Sequence, residues 1–220
     1  LAALRRAYPS AHITWAVGSW SRAAVEHHPE LNAVLDTGAQ ALPVKSVKSF
    51  AAFVRQLRGG RFDLAVSLVR SPLMSAAVRL SGIPRRAGLD SNGRGFGYNF
   101  RAPLDPAQVR HEGEIYLDVP RAIGLDTRGC YANLPIPAAE KDAARRLLTL
   151  PEFSRGWIMI NPAGGRNPGM VMDSKRYPPA QLAELANRLY ARYGLPYVLI
   201  GAKTDQLILD ALTTGLHAPY

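Results

Sequence analysis

The sequence predicts an α/β fold in which helices cover both faces of parallel sheets. Short apolar runs alternate with amphipathic stretches along nearly the whole chain, which is typical of strand–helix–strand units. The strongest run, FDLAVSLV at 62–69, is apolar throughout, as expected of a strand that is covered on both faces. With 220 residues, 47% of them hydrophobic, the chain can bury a sizeable core in one or two domains.

From the first half of the sequence we predict five helices and five short strands. We expect Ser21 to cap a short helix, Val47 to begin the buried stripe of a longer one, and Pro120 to kink or break the last. The remaining members of that buried stripe are Phe50, Val54 and Leu57. Helices are predicted at LAALRRAY, SRAAVEHH, SVKSFAAFVRQLRGG, Pro72 to Leu80 and HEGEIYLDVPRAIGL, and strands at AHITWAVG, NAVLDTG, FDLAVSLV and near RRAGL and YNFRA.

The second half follows a stretch at 127–138 that has no periodicity and carries two prolines, which favours a domain boundary there. We therefore divide the chain into domains at 1–132 and 133–220. Helices are predicted at KDAARRLLTL, PPAQLAELANRLYARYG and DQLILDALTTG, and strands at GWIMIN and PYVLIG. The middle helix should end at Gly194 and bury Leu182, Leu185, Leu189 and Tyr193.

The formal net charge of +10 is concentrated in the first half of the chain. Residues 1–110 contain 15 Lys and Arg against 6 Asp and Glu, whereas residues 111–220 contain 12 against 11. This excess indicates attraction to an acidic partner, such as an anionic membrane face or a phosphorylated substrate, or simply an arginine-rich solvated surface. Basic runs with interleaved aromatic residues are absent from the sequence, so we do not expect a nucleic-acid partner.

Cysteine and histidine give no sign of a metal or redox site. Cys130 is the single cysteine, which fits a reducing compartment, and the cytoplasm is the expected location. His27, His28 and His111 lack partners at metal-ligand spacing. We expect neither a metal nor a cofactor.

A glycine-rich segment, NPAGGRNPGMVMDSKRYPP at 161–179, separates a predicted strand from a predicted helix. Ligands of parallel α/β sheets bind at this position, beyond the carboxyl end of a strand. Gly164 and Gly165 allow backbone amides to approach a phosphate, and Lys175 would add a positive charge. Because the spacing matches neither the Walker loop nor the dinucleotide fingerprint, a flexible connection remains an equal alternative, and Arg176 could instead pair with a carboxylate.

Arg70 and Ser71 follow the strongest strand and should therefore lie at the same kind of position in the first half. They are candidates for binding a ligand. A structural arginine and a helix-capping serine are the simpler alternative.

The ordered series of these segments resembles glycosyltransferase family 9, the ADP-heptose:lipopolysaccharide heptosyltransferases. The resemblance rests on INPAGG, SKRYP and LIGAKTD in the second half, and on YPSAHITWAVG, HPELNAVLD and FDLAVSLVRSPLMSAAVRLSGIPRRAGLD in the first. It implies the GT-B architecture of two Rossmann-like domains, the first binding the glycolipid acceptor and the second the nucleotide sugar. Tyr177 stands where the family usually has Trp, and RNPGMVM lengthens the loop.

The resemblance also implies a function and residue roles. The protein would be an inverting glycosyltransferase that moves a sugar, expected to be a heptose, from a donor such as ADP-heptose to a lipopolysaccharide or related glycolipid. The cytoplasmic surface of the inner membrane would be a further partner. By resemblance, Lys175 would contact the donor phosphates and Asp205 the ribose. Together with the residues singled out from their positions, the expected donor-binding set is Gly164, Gly165, Ser174, Lys175 and Asp205, and Arg70 and Ser71 are expected to bind the acceptor.

The family's opening strand with its GD loop would lie before Leu1, and its DxGxxH segment after Tyr220. We therefore expect a longer natural polypeptide, a first domain without its opening strand, a truncated second domain and an inactive fragment. The general base would also precede Leu1, so the catalytic residue is unknown. A non-catalytic nucleotide-binding or assembly module of the same fold and, less favoured, a nicotinamide-dependent dehydrogenase are the alternatives.

Overall fold

A computed structural model describes residues 1–39, 44–105, 107–164, 166–167 and 170–220. The chain divides into two compact units, Leu1–Pro135 and Ile136–Tyr220. This division falls three residues after the boundary placed between 132 and 133 from the sequence. The ligands assigned to the two domains stay predictions.

The first unit alternates strands and helices, and its strands form two parallel sheets. β1 pairs with β2, and β3, β4 and β5 form a three-stranded sheet in that order. The elements are α1 (Ala2–Ala7), β1 (Thr14–Val17), β2 (Ala33–Asp36), α2 (Val47–Gly59), β3 (Leu64–Ser67), α3 (Pro72–Leu80), β4 (Arg85–Ser91), β5 (Phe100–Leu104) and α4 (Glu112–Ala122). The predicted parallel α/β fold is confirmed, including the short strands near RRAGL and YNFRA.

Two hydrophobic clusters cover opposite faces of the three-stranded sheet. Neighbouring side chains of β3 point to opposite faces, so Ala65 packs in one cluster and Val66 in the other. The Ala65 cluster contains residues of α2 and α3, and the Val66 cluster contains residues of α4. Helices thus cover both faces of this sheet, as the sequence predicted.

Three local predictions in this unit are wrong. The short helix is a 3₁₀ helix, Ser19–Ala24, so Ser21 lies inside it and does not cap it. Val47 is 88% exposed because it occupies the first turn of α2, and Phe53 takes its place in the buried stripe. Pro120 was expected to kink or break α4, and it does not break it, since Arg121 and Ala122 continue the helix.

The second unit contains a small parallel sheet and an antiparallel pair of very short strands. β6 pairs in parallel with β9, and β7 pairs antiparallel with β8 inside the segment expected to be a loop. The elements are α5 (Ala138–Leu148), β6 (Ile158–Ile160), β7 (Arg166–Asn167), β8 (Met170–Val171), α6 (Pro179–Tyr193), β9 (Tyr197–Leu199) and α7 (Gln206–Thr214). Short 3₁₀ helices occur at Pro151–Phe153, Asp173–Lys175 and Lys203–Asp205.

Helix α6 buries small residues rather than the predicted leucine stripe. Ala183 and Ala186 are each 1% exposed, whereas Leu185 and Tyr193 are about half exposed. Close packing explains the difference, since a Cβ added at Gly215 would lie only 3.1 Å from the Ala183 side chain. The end of α6 is as predicted, with Gly194 in the left-handed conformation at φ 65°.

Candidate functional site

The glycine-rich segment leaves β6 through a tight turn whose last described glycine faces open space. The Ala163 amide donates to the Asn161 side-chain oxygen at 3.2 Å, which bends the backbone directly after the strand. Gly164 has φ 125°, a conformation that L side chains rarely adopt, and no heavy atom of the described residues lies within 4 Å of a Cβ built on it. Its backbone is therefore accessible to a ligand. Gly165 lies outside the described residues.

Arg176 ties the far end of this segment back to its beginning. Its Nε donates to the Gly164 carbonyl at 3.0 Å, and its Nη1 pairs with Asp173 at 2.6 Å. The ion pair with Asp173 is the pairing with a carboxylate that the sequence offered as the alternative role of Arg176. The bond to Gly164 places the start of the segment beside the 3₁₀ helix that carries Ser174 and Lys175.

Ser174 and Lys175 both lie exposed on that 3₁₀ helix. No carboxylate within the described part of the chain lies in ion-pair range of the Lys175 ammonium. An exposed ammonium without such a neighbour is open to contact with an anion. Helix α6 starts four residues later at Pro179 without a side-chain cap. Because Pro179 has no amide hydrogen, the first amide donors of the helix are those of Ala180 and Gln181.

Asp205 follows β9 in the same unit, and the fold already uses part of its carboxylate. The residue is 9% exposed, and its Oδ2 accepts the Ala202 amide at 2.9 Å in the turn before α7. Its Oδ1 can accept a further hydrogen bond. The sequence did not reveal this local role.

Arg70 and Ser71 lie beyond the end of β3 in the other unit, where each has a partner. The Ser71 hydroxyl caps α3 by accepting the Met74 amide at 3.4 Å, and Arg70 Nη2 pairs with Glu112 at 2.6 Å. Both contacts match the simpler structural alternative. Arg70 Nε is buried and has no hydrogen-bond partner among the described groups.

The residues around Arg70 shift each other's pKa values. This cluster was not identified from the sequence. The hydrogen bond from Arg70 holds the pKa of the Glu112 carboxyl below its ordinary value. Partial burial, followed by the charge of Glu112, raises the pKa of the Tyr116 phenol. The sequence gives no sign of the pairing between Arg70 and Glu112, because a contact across 42 residues leaves no local pattern.

Two other observations on the described residues bear on possible sites. A shallow surface cavity of about 390 Å³ lies on α6, and it contains none of the predicted site residues. Its lining residues are Tyr177, Gln181, Glu184, Leu185 and Arg188. The described residues contain no cluster of three His, Cys, Asp or Glu side chains suited to a metal ion, and none of the described helices is both long and apolar enough to cross a bilayer.

The fold is similar to that of three solved glycosyltransferases. ADP-heptose lps heptosyltransferase II of E. coli matches 98% of this chain with a TM-score of 0.69 and 23% identity. A glycosyl transferase family 9 protein of Veillonella parvula matches 99% with a TM-score of 0.76 and 19% identity. The E. coli heptosyltransferase WaaC, solved with ADP, matches 98% with a TM-score of 0.65 and 18% identity. The chain spans 62%, 63% and 65% of the Veillonella protein, heptosyltransferase II and WaaC, respectively.

The sequence itself matches one family description over most of its length. The sequence model for glycosyltransferase family 9 (heptosyltransferase) matches residues 50–220. No curated protein sequence gives a significant match. The matched range includes every candidate residue named above.

Proposed function

The chain belongs to glycosyltransferase family 9, the heptosyltransferase family, and on that premise we propose that it serves the transfer of a heptose from a nucleoside diphosphate to a glycolipid. The donor is of the ADP-heptose type, and the acceptor is lipopolysaccharide or a related cell-surface glycolipid. The transfer inverts the anomeric centre. The protein works in the cytoplasm, at the inner-membrane surface where such an acceptor is anchored.

The donor diphosphate binds at the glycine-rich segment after β6. One observation carries this assignment: Gly164, with open space around it, is joined through Arg176 to the turn that presents Lys175. Backbone amides and an ammonium group therefore lie at the end of a parallel strand, where α/β proteins bind phosphates. Gly165 and Ser174 belong to the same proposed subsite, and the free Oδ1 of Asp205 receives a ribose hydroxyl.

During the reaction, the main new negative charge develops on the diphosphate at this subsite. When the acceptor hydroxyl attacks the anomeric carbon, the bond between that carbon and the phosphate oxygen breaks and the diphosphate leaves with an additional negative charge. Lys175 and the amides stabilise that charge where it develops, and one such donor typically contributes about 10²–10³-fold in rate. The hydroxyl proton passes to a general base, a role to which we assign none of the described residues.

Acceptor binding is assigned to Arg70 and Ser71 of the first unit. Arg70 supports this role because its guanidinium lies beyond a strand end and its side chain is 35% exposed. The excess of basic residues in this half of the chain also suits a phosphorylated glycolipid. Ser71 is the weaker assignment, since its hydroxyl caps α3.

Calorimetric titration with ADP tests the donor subsite separately from catalysis. Lys175→Ala should bind ADP about 10–100-fold more weakly, because a charge-assisted contact to phosphate is lost. Lys141→Ala is the matched control, since Lys141 is an exposed lysine on α5 of the same unit and should leave the affinity unchanged. Equal ADP affinity for Lys175→Ala and the unmodified protein would remove Lys175 from the site.

A further inference from the structure

One surface of the first unit combines unusual charge with exposed leucines. Residues 37–89 contain nine Lys and Arg, and Asp63 is their single acidic residue. Helices α2 and α3 lie within this stretch and contain no Asp or Glu at all. The surface that these two helices turn to solvent is called the α2–α3 face below, and the residues of it used here are Lys48, Arg55, Arg58, Leu73, Arg79 and Leu80.

Helix α2 supplies the basic half of the α2–α3 face. Its buried side is formed by Phe53, Val54 and Leu57, which pack into the hydrophobic core. Lys48 and Arg55 are seven residues apart, about two helical turns, and both lie on the opposite, exposed side. Neither forms an ion pair with any carboxylate in the described ranges, so their charges are not neutralised within the protein.

Helix α3 supplies the apolar half. Its buried side includes Met74, Ala77 and Val78, whereas Leu73 and Leu80 remain 52% and 51% exposed. A helix that shows large apolar side chains on its outer side departs from the usual amphipathic pattern. Apolar side chains at such a position, with basic residues next to them, are typical of a surface that meets the headgroup region of a bilayer.

The two halves are held together as one surface. Both helices pack on the same hydrophobic cluster, on one face of the β3–β4–β5 sheet. Arg58 of α2 also donates through Nε and Nη2 to the Leu80 carbonyl at 3.1 and 2.8 Å, next to Arg79. The basic residues of α2 and the exposed leucines of α3 therefore lie on two helices that pack against each other.

We propose that the α2–α3 face docks the protein on an anionic phospholipid bilayer. Leu73 and Leu80 enter the headgroup boundary, and Lys48, Arg55 and Arg79 contact lipid phosphates. Each basic residue near an anionic membrane contributes about fivefold to partitioning, so the set is sufficient for reversible binding. This inference rests on the proposed function only in its choice of the membrane as partner, because the donor subsite belongs to the other unit.

Co-sedimentation with lipid vesicles tests the proposal. The protein should bind vesicles of phosphatidylcholine mixed with phosphatidylglycerol, bind phosphatidylcholine alone much more weakly, and lose binding at high salt. Arg55→Glu with Arg79→Glu should weaken binding to the mixed vesicles at least about 30-fold. Arg145→Glu with Arg146→Glu on α5 changes the net charge equally and should alter binding by less than about threefold, since long-range charge is screened.

A leucine pair separates a membrane from other anionic partners. Leu73→Ser with Leu80→Ser keeps every charge and should weaken vesicle binding about tenfold, because apolar burial in the bilayer is lost. Failure of the unmodified protein to bind the mixed vesicles would overturn the proposal. So would equal binding by the leucine pair, which would indicate a purely electrostatic partner such as a nucleic acid.

Parallel measurements keep this test independent of the donor site. Circular dichroism of each variant checks that the helices are intact, and ADP titration checks the second unit. Loss of vesicle binding with unchanged ADP affinity supports docking through the α2–α3 face. Loss of ADP binding in Lys175→Ala with normal vesicle binding would concern the donor subsite alone.

Discussion

The ends of strands β3 and β6 carry similar residues but use them differently. After β3, Ser71 caps α3 and Arg70 pairs with Glu112, so the fold itself occupies both side chains. After β6, Gly164 faces empty space and the exposed Lys175 has no carboxylate near it in the described ranges. The comparison teaches that a serine and a cation beyond a strand do not by themselves make a ligand site. What distinguishes the β6 end is that the exposed Lys175 has no carboxylate partner among the described residues, whereas Arg70 at the β3 end is paired with Glu112.

Replacing Gly164 should give the largest effect of these tests, measured as a change in the free energy of unfolding. Gly164→Ala should lower the free energy of unfolding by about 1–3 kcal/mol, because alanine is strained at φ 125°. Gly59→Ala, at the end of α2, also meets open space but has no positive φ, and should be neutral or stabilise by up to about 1 kcal/mol. Thermal unfolding of both variants provides the measurement. If the two behave alike, the backbone at Gly164 is not held in this conformation.

Replacing Ser71 or Ser174 by alanine should change the free energy of unfolding by smaller and unequal amounts. Ser71→Ala should destabilise the protein by about 1 kcal/mol, since α3 loses its cap. Ser174→Ala removes an exposed hydroxyl and should stay within about 0.5 kcal/mol of the unmodified protein. Denaturant unfolding monitored by circular dichroism distinguishes them. A larger loss for Ser174→Ala would reverse the contrast between the strand ends.

The smallest expected effect is a change in the pKa of Glu112 at the β3 end. The Glu112 pKa lies below its ordinary value of 4.5, so its pairing with Arg70 stabilises the fold above that pH and is lost as the pH falls through the lowered pKa. In Arg70→Ala the Glu112 midpoint should rise toward 4.5 in a carboxyl-detected NMR titration. Arg110→Ala, a matched change, should instead raise the midpoint of Asp118, whose pKa the hydrogen bond from Arg110 lowers. An unchanged Glu112 midpoint in Arg70→Ala would mean that Arg70 is free to bind a ligand in solution.

Sequence periodicity predicted most elements of the fold, because strand and helix signals are local. It predicted α3 with the residues that the structure shows, Pro72–Leu80. It failed where packing between elements decides which face is buried. Val47 fits the stripe of α2 but lies in an exposed first turn, and α6 buries Ala183 and Ala186 because α7 and Gly215 approach closely. Periodicity cannot foresee such close approaches.

The candidate site was predictable to a similar extent. A glycine at position 164 indicated that the backbone could adopt a positive φ there, and the structure shows a positive φ at this residue. The partners of charged side chains were not predictable at long range, since Arg70 and Glu112 are 42 residues apart. Arg176 could be weighed in advance because its carboxylate partner, Asp173, is only three residues away.

The most direct test of the donor assignment is an amide NMR titration of the ¹⁵N-labelled protein with ADP. The account predicts that the largest chemical-shift changes occur between residues 161 and 176, with Gly164 and Lys175 among them, while the amides of Arg70 and Ser71 stay unchanged. Changes centred on the β3 end, or saturation by ADP without any change at 161–176, would contradict it.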